Sequence, residues 1–472
     1  MKIHATAFLP AMTAALLSGC SSLGGSDATR DTAALVSDGL QTITTQAGHT
    51  YLYAPMPESD RSAVAITWHA DIADLPVNKE SMPRIGIDLM LNGGAGSLAA
   101  EEIIADFEDL DAGSDLWVQP QEISGFIVSP KEHMSKASEI ANLVVTQPNL
   151  EERWFRREKK SFLDDAAERE IKAAGLAWNL FREATLGDHP YKRFWSLQPI
   201  EGIESIELDD IKDWHERAFS SKSLTITVAG NAEIESINSS IDKVLIGMPD
   251  SQRKPMADFG GAQISDQTIL LHKPDVEKSV LLVVGRLPAR TEEFDVPVQL
   301  GVGVLGWGKQ SRLFTAVRTD LRAAYGFGAG VWNMTREQRV LHLSGEVETG
   351  KAQDVLNMVR ESYEKFRTKG ISLIEFPIAR KFYVQRVRDE IKEPSSVAYM
   401  IMDAKLTGFS DAYFPSLLGR IQAQSRADVN KTIMSTFPEF DSMLKIIVTP
   451  DENAIEGACV ITAIDQWESC PR

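Results

Sequence analysis

The sequence predicts an α+β protein of two homologous α/β-sandwich domains, each a mostly antiparallel sheet covered by helices. Three observations carry this expectation. The chain has 472 residues, 43% apolar and 25% charged, which suits two or three ordinary globular domains. An order of strand, strand, helix, helix, strand, strand, several helices, strand occurs twice, about 200 residues apart. A stretch with two Pro, two Gly and several charges (249–263) separates the two occurrences and reads as a linker.

In the first half, 50–55 and 62–70 alternate or run β-branched, as strands do. Segment 82–92 is apolar at helical spacing and stops at Gly93-Gly94. Segment 98–109 is a helix with an acidic outer face, and 114–118 with 125–129 read as a strand pair. Helices follow at 134–145 and 151–175, and 177–186 continues until Gly187 breaks it. Helix 209–219, strand 223–228 and helix 234–245 complete the half. In the second half, strands at 268–272 and 279–285 precede a helix at 297–305 and another at 311–326. Strands 328–332 and 340–347, helices 352–369, 372–391, 396–407 and 426–437, and a strand at 443–449 close the pattern. The expected division is 1–19 leader, 20–41 tether, 42–248 first domain, 249–263 linker and 264–472 second domain.

A net charge of −18 argues against nucleic acid as the main partner, because phosphate binding needs a basic surface. At the start of the chain, Lys2 precedes a mostly apolar run (5–17) too short to span a bilayer. The run ends in Leu17-Ser18-Gly19-Cys20. This resembles the bacterial lipoprotein signal, which implies cleavage before Cys20 and lipidation there. Ser21 stands where an Asp would resemble an inner-membrane retention signal, so the resemblance favours the outer membrane. Segment 21–39 is rich in Ser, Gly, Asp and Ala and reads as a flexible tether. Cys459 and Cys470 would then meet an oxidising periplasm, and a disulfide between them is the simplest account.

Segment 311–326 reads as a helix with Arg318 and Tyr325 seven residues apart, close to two turns, on one face. A planar guanidinium and a phenol hydroxyl together suit a carbonyl oxygen. Taken alone, the pair reads rather as a surface Arg and a half-buried Tyr on an ordinary amphipathic helix. The surrounding run SRLFTAVRTDLRAAYGF resembles the C-terminal signature of the insulinase/pitrilysin (M16) family of zinc peptidases, in the short bacterial two-domain type. Leu186-Gly187-Asp188-His189-Pro190-Tyr191 is similar to the family's His-Pro-Tyr segment, and Leu224 to Asn231 to its strand ending in Gly-Asp/Asn. The resemblance covers about residues 42–450 and implies the M16 fold.

The family's inverted metal motif, His-x-x-Glu-His, places two His at i and i+4 with a Glu between them to act on water. Here Ile85 and Leu89 stand at the His positions and Asp88 at the Glu position. Asp165, seven after Glu158, best matches the third ligand, with Asp164 as the other choice. Neither Ile nor Leu donates to a metal. The eight His (4, 49, 69, 133, 189, 215, 272, 342) offer no two within five residues, so no helix turn carries a local pair. His69 and His189 read as structural. Gly303 to Lys309 fits the start of a phosphate-binding loop, but Gln310 replaces the magnesium-ligating hydroxyl, so it reads as a plain turn.

The resemblance therefore implies a non-zinc subunit of a heterodimeric M16-type peptidase in the bacterial envelope. Arg318 and Tyr325 would clamp the carbonyl of an unfolded peptide substrate, and a partner chain would carry the zinc. The alternative is an inactive M16-fold lipoprotein that binds peptides or serves as a scaffold.

Overall fold

The computed structural model describes residues 39–471 except 71–74, 188, 190–191, 193, 195–199, 252–261 and 335–337. The expected leader, Cys20, most of the tether and most of the linker lie outside the described residues, as do Asp188, Pro190 and Tyr191.

Near-continuous apolar runs make the strands at the centre of each sheet, because both faces of each sheet are covered. The N-terminal half contains β1 (Gln41–Thr44), β2 (Thr50–Pro55), β3 (Arg61–His69), α1 (Met82–Asn92), α2 (Ala100–Asp109), β4 (Gly113–Gln119), β5 (Glu122–Pro130), α3 (Met134–Thr146), α4 (Glu152–Ile171), α5 (Ala173–Leu186), α6 (Ile200–Glu204), α7 (Leu208–Ala218), β6 (Leu224–Gly230) and α8 (Ile234–Leu245). The C-terminal half contains β7 (Thr268–His272), β8 (Ser279–Leu287), α9 (Asp295–Gly306), α10 (Arg312–Phe314), β9 (Ala324–Asn333), β10 (Arg339–Val347), α11 (Ala352–Lys369), α12 (Glu375–Glu390), α13 (Pro394–Leu406), α14 (Tyr413–Ala423), α15 (Arg426–Thr436), β11 (Leu444–Thr449) and β12 (Cys459–Ile461).

The two six-stranded sheets run β1-β2-β6-β3-β5-β4 and β12-β7-β11-β8-β10-β9. Five strands correspond one to one: β2-β6-β3-β5-β4 with β7-β11-β8-β10-β9. The parallel pair also corresponds, β2 with β6 and β7 with β11. The weak repeat in the sequence is thus a repeat of topology, with mixed but mostly antiparallel sheets.

One face of the N-terminal sheet (Tyr51, Val64, Ile66, Val228) packs under α1, α3, α4, α7 and α8. Its other face (Leu52, Ala54, Ala63, Ala65, Ala229) packs against Val397, Ala398, Ile401 and Met402 of α13, a helix of the other half. The exchange is reciprocal. Leu176, Ala177, Leu180 and Phe181 of α5 pack on Ile269, Leu271, Leu282 and Val284 of the C-terminal sheet. Buried Thr227 on β6 donates its hydroxyl to the Ala398 carbonyl of α13 at 2.8 Å. Arg290, after β8, reaches Asp403 of α13 at 2.6 Å and Asp295 at the start of α9 at 2.6 Å.

Three local expectations are corrected. Segment 311–326 is not one helix: α10 gives way to a π-helical turn at Thr315–Asp320, and Tyr325 lies on β9. The reversal is made at Arg322, which adopts the left-handed region at φ 52°, an uncommon conformation for a residue with a Cβ. The long helix from 151 ends at Lys172, which is extended, and α5 restarts at once. At Gly175 a Cβ would lie 2.5 Å from the Arg169 carbonyl oxygen, so only glycine lets α5 leave α4 this closely. Helix α14 was not expected at all, although Tyr413, Phe414, Leu417 and Ile421 are its buried face. Cys459 and Cys470 form a disulfide with Cα atoms 5.6 Å apart, holding the tail against the outer edge of β7.

Candidate functional site

Helix α1 opens with Pro at its first turn, where a missing N–H costs nothing. Ile85 and Leu89 are fully buried in the N-terminal core, together with Phe155, Phe162 and Ala166 of α4. Where the zinc motif would pin α1 to α4 through a metal, apolar contact joins them instead. Arg84 and Asp88, one turn apart, form the half-exposed face of α1. The Arg84 guanidinium lies over the Phe162 ring, 5.2 Å from its centroid.

Burial pushes the Asp88 carboxyl up to about 6; Arg84 opposes the rise, while Glu158, Asp165 and Asp115 add to it. Glu158 is buried on α4, with Arg157 Nε 3.7 Å from its Oε1, and burial raises its carboxyl as well. Asp165 is exposed, and Asp164 is exposed and bridged to Lys160 at 2.6 Å. Asp88, Glu158 and Asp165 thus act on one another in one region, joined by Asp115 of β4 and Arg84. Sequence reasoning missed those last two. The i,i+4 spacing of Arg84 and Asp88 was the available signal for the first; Asp115 is brought in only by the sheet. Among the described residues, no group of three or more His, Cys, Asp or Glu side chains is placed to hold a metal ion. With Ile and Leu at the ligand positions, the residues present do not fit zinc.

The histidines have other partners. His133 donates a ring N–H to the Leu110 carbonyl at 2.7 Å, and His215 to the Val145 carbonyl at 2.7 Å. His342 is buried, and burial holds its imidazole down at about 4. The glycines that mimic a phosphate loop serve packing: a Cβ on Gly306 would lie 1.9 Å from the Ala329 nitrogen of β9.

The second constellation is at the equivalent corner of the C-terminal half. Leu313 and Val317 are buried anchors, and Arg318, next in the chain, is exposed. Arg318 Nη1 donates to the Ala324 carbonyl at 3.3 Å, and its guanidinium lies 5.4 Å from the Tyr325 ring centroid. Tyr325 is 73% exposed at the start of β9, an edge strand. The structure therefore brings the two residues together, though by a turn and a strand rather than along one helix. Arg312 in α10 grips Glu375 at the head of α12 with two bonds, 2.6 and 2.7 Å. Burial alone would raise the Glu375 carboxyl, but the Arg312 and Ser372 donors hold it at about 2.

Residues 205–382 match the family model described as the peptidase M16 inactive domain. Over that segment the chain is similar to the M16 peptidases. An uncharacterized zinc protease of Mycobacterium leprae is 22% identical over 228 residues, 47% of this chain and 50% of that protein. The match thus spans about half the length of that relative. The crystal structure of a peptidase M16 inactive domain from Pseudomonas fluorescens superposes with a TM-score of 0.75 at 17% identity, over 87% of this chain and 98% of that one. The periplasmic protease PqqL from Escherichia coli superposes with a TM-score of 0.65 at 13% identity, over 92% of this chain and 50% of that one. The last two likenesses bear on the fold. The M16 match and the replaced metal ligands together describe an M16-fold chain without the family's zinc motif.

Proposed function

We propose that this chain is the non-zinc subunit of a heterodimeric M16-type peptidase of the bacterial envelope. Arg318 and Tyr325 supply the substrate-carbonyl clamp, and a partner chain supplies zinc. The observation that carries the reading is the contrast between the two corners. At one, core residues occupy the metal-ligand positions. At the other, a guanidinium and a phenol stand together at the surface with little to do for the fold. Their donors suit the carbonyl oxygen of a peptide bond, and one such donor is worth ~10²–10³ in rate. The neighbouring edge strands support strand addition by an unfolded peptide. β9 has ten residues and β4 seven, whereas the opposite edges, β1 and β12, have four and three. Cys20 would be lipidated and anchor the chain at the periplasmic face of the outer membrane. The periplasmic setting of PqqL agrees with an envelope address.

The test is reconstitution with a His-x-x-Glu-His homologue from the same genome. The chain alone should contain no stoichiometric zinc and cleave nothing; the mixture should cleave an unfolded peptide. Arg318→Ala should reduce that rate about 100-fold or more without changing the melting temperature. Cleavage at the normal rate by the Arg318→Ala pair refutes the clamp. Absence of any complex favours the second reading, a non-enzymatic envelope scaffold or peptide-binding lipoprotein, which the match to an inactive domain also supports.

A further inference from the structure

The inner side of α12 is taken up by the fold: Phe376 and Val387 are buried in the C-terminal core, and Ala379, Tyr383 and Val384 pack against it. Its outer side is apolar too. Leu373, Ile374, Ile378 and Phe382 are 77, 75, 50 and 55% exposed. The last three recur every four residues, so they form one row along the helix. Helix α12 carries four cations along its length (Arg380, Lys381, Arg386, Arg388) and three acids confined to its ends (Glu375, Asp389, Glu390), with Arg386 bridged to Glu390 at 2.9 Å, in a chain of net charge −18. A row of large apolar side chains with a polar rim marks a surface that a partner covers.

The position of the row selects the partner. At its head, Glu375 is gripped by Arg312. At its far end, the Phe382 ring lies 6.3 Å from the Trp307 ring. Trp307 and Arg312 flank the turn that leads into the Arg318 segment, so the row packs on the stretch of chain that carries Arg318. A bilayer seated on the row would lie close against that stretch and hinder a peptide. A folded chain that delivers a metal to Arg318 must cover this neighbourhood. We propose that the α12 row is the docking surface for the zinc-bearing M16 homologue, which would offer an apolar groove with an acidic rim. This inference rests on the heterodimer reading above.

The experiment uses the full chain and the zinc-loaded His-x-x-Glu-His homologue of the same genome, with affinity measured by sedimentation velocity and calorimetry. Ile374→Glu and Phe382→Asp should each weaken association about tenfold or more. Val77→Glu and Ile246→Glu, at exposed apolar sites in the N-terminal half, should not. Arg318→Ala should keep association and lose cleavage. Ile374 is largely solvent-facing, so its variant separates binding from folding, and circular dichroism checks both. Wild-type affinity in the two row variants overturns the docking surface while leaving the heterodimer standing. No association by the wild-type chain overturns both. Row-dependent self-association, or flotation with phosphatidylglycerol/phosphatidylethanolamine vesicles in place of homologue binding, overturns the inference in favour of a second copy or a membrane.

Discussion

Replacing Asp88 by Asn should stabilise the protein at neutral pH and leave it unchanged in acid. Burial moves this carboxyl from an ordinary value of 3.8 to about 6. Each unit is 1.36 kcal/mol of differential interaction, so the ionised side chain costs the fold about 3 kcal/mol. Arg84 is already counted in that value, because its attraction is part of what sets it. Between about pH 4 and pH 6 the folded chain holds a proton that the unfolded chain has released. The contribution of Asp88 is therefore fully favourable below about pH 4, declines as pH rises to about 6, and is flat above. Asn carries no charge at any of these pH values. Urea titrations of wild type and Asp88→Asn should differ by up to about 3 kcal/mol at pH 7.5 and by nearly nothing at pH 4. The melting temperature at pH 7.5 should rise by roughly 3 °C. Equal stability at pH 7.5 would show that burial does not penalise the ionised Asp88 carboxyl as described. An equal gain at both pH values would show that the effect is packing and not charge.

Other perturbations probe the scaffold. Arg290→Met leaves Asp295, buried and otherwise bonded by the Tyr413 hydroxyl, without its cation, and should cost about 3–5 kcal/mol in urea. Ile401→Ala on α13 opens a hole against the N-terminal sheet and should cost about 2–5 kcal/mol; tryptophan fluorescence should report it through Trp117 of β4, whose ring lies 6.0 Å from the Tyr399 ring of α13. Removing the disulfide by Cys459→Ser and Cys470→Ser frees a short loop worth about 3 kcal/mol. Mass spectrometry after hydrogen exchange should find the loss concentrated in β12 and β7.

Much of the fold was legible because its cause is local. The apolar and β-branched runs of β2, β10 and β11 and the apolar spacing of α1, α8 and α11 follow from which faces are buried. The missing metal ligands were legible because Ile and Leu have no donor. The 311–326 segment misled because Leu313, Ala316 and Val317 keep helical spacing and no Gly or Pro interrupts before Gly326. What ends the helix is a left-handed Arg322, and nothing in its side chain announces that conformation. The charge cluster at Asp88 was half legible: Asp88 and Arg84 share a helix, but Asp115 arrives on a strand paired across the sheet. The α12 row shows the limit of periodicity itself. Ile374, Ile378 and Phe382 have the spacing of a core face, and only the packing of the other helices leaves them uncovered.

The reciprocal loan of α5 and α13 bears on ancestry. In the repeat these helices are equivalents, each following two helices after its own strand pair. A single ancestral repeat would have had one sheet face bare and one helix with nowhere to bury itself. Two copies would cure both defects by trading helices, as in a domain-swapped dimer. Duplication and fusion would then turn an association that depends on concentration into one fixed within a single gene product. On that account the modern chain is a dimer that has become covalent, and its interior seam is the older subunit boundary.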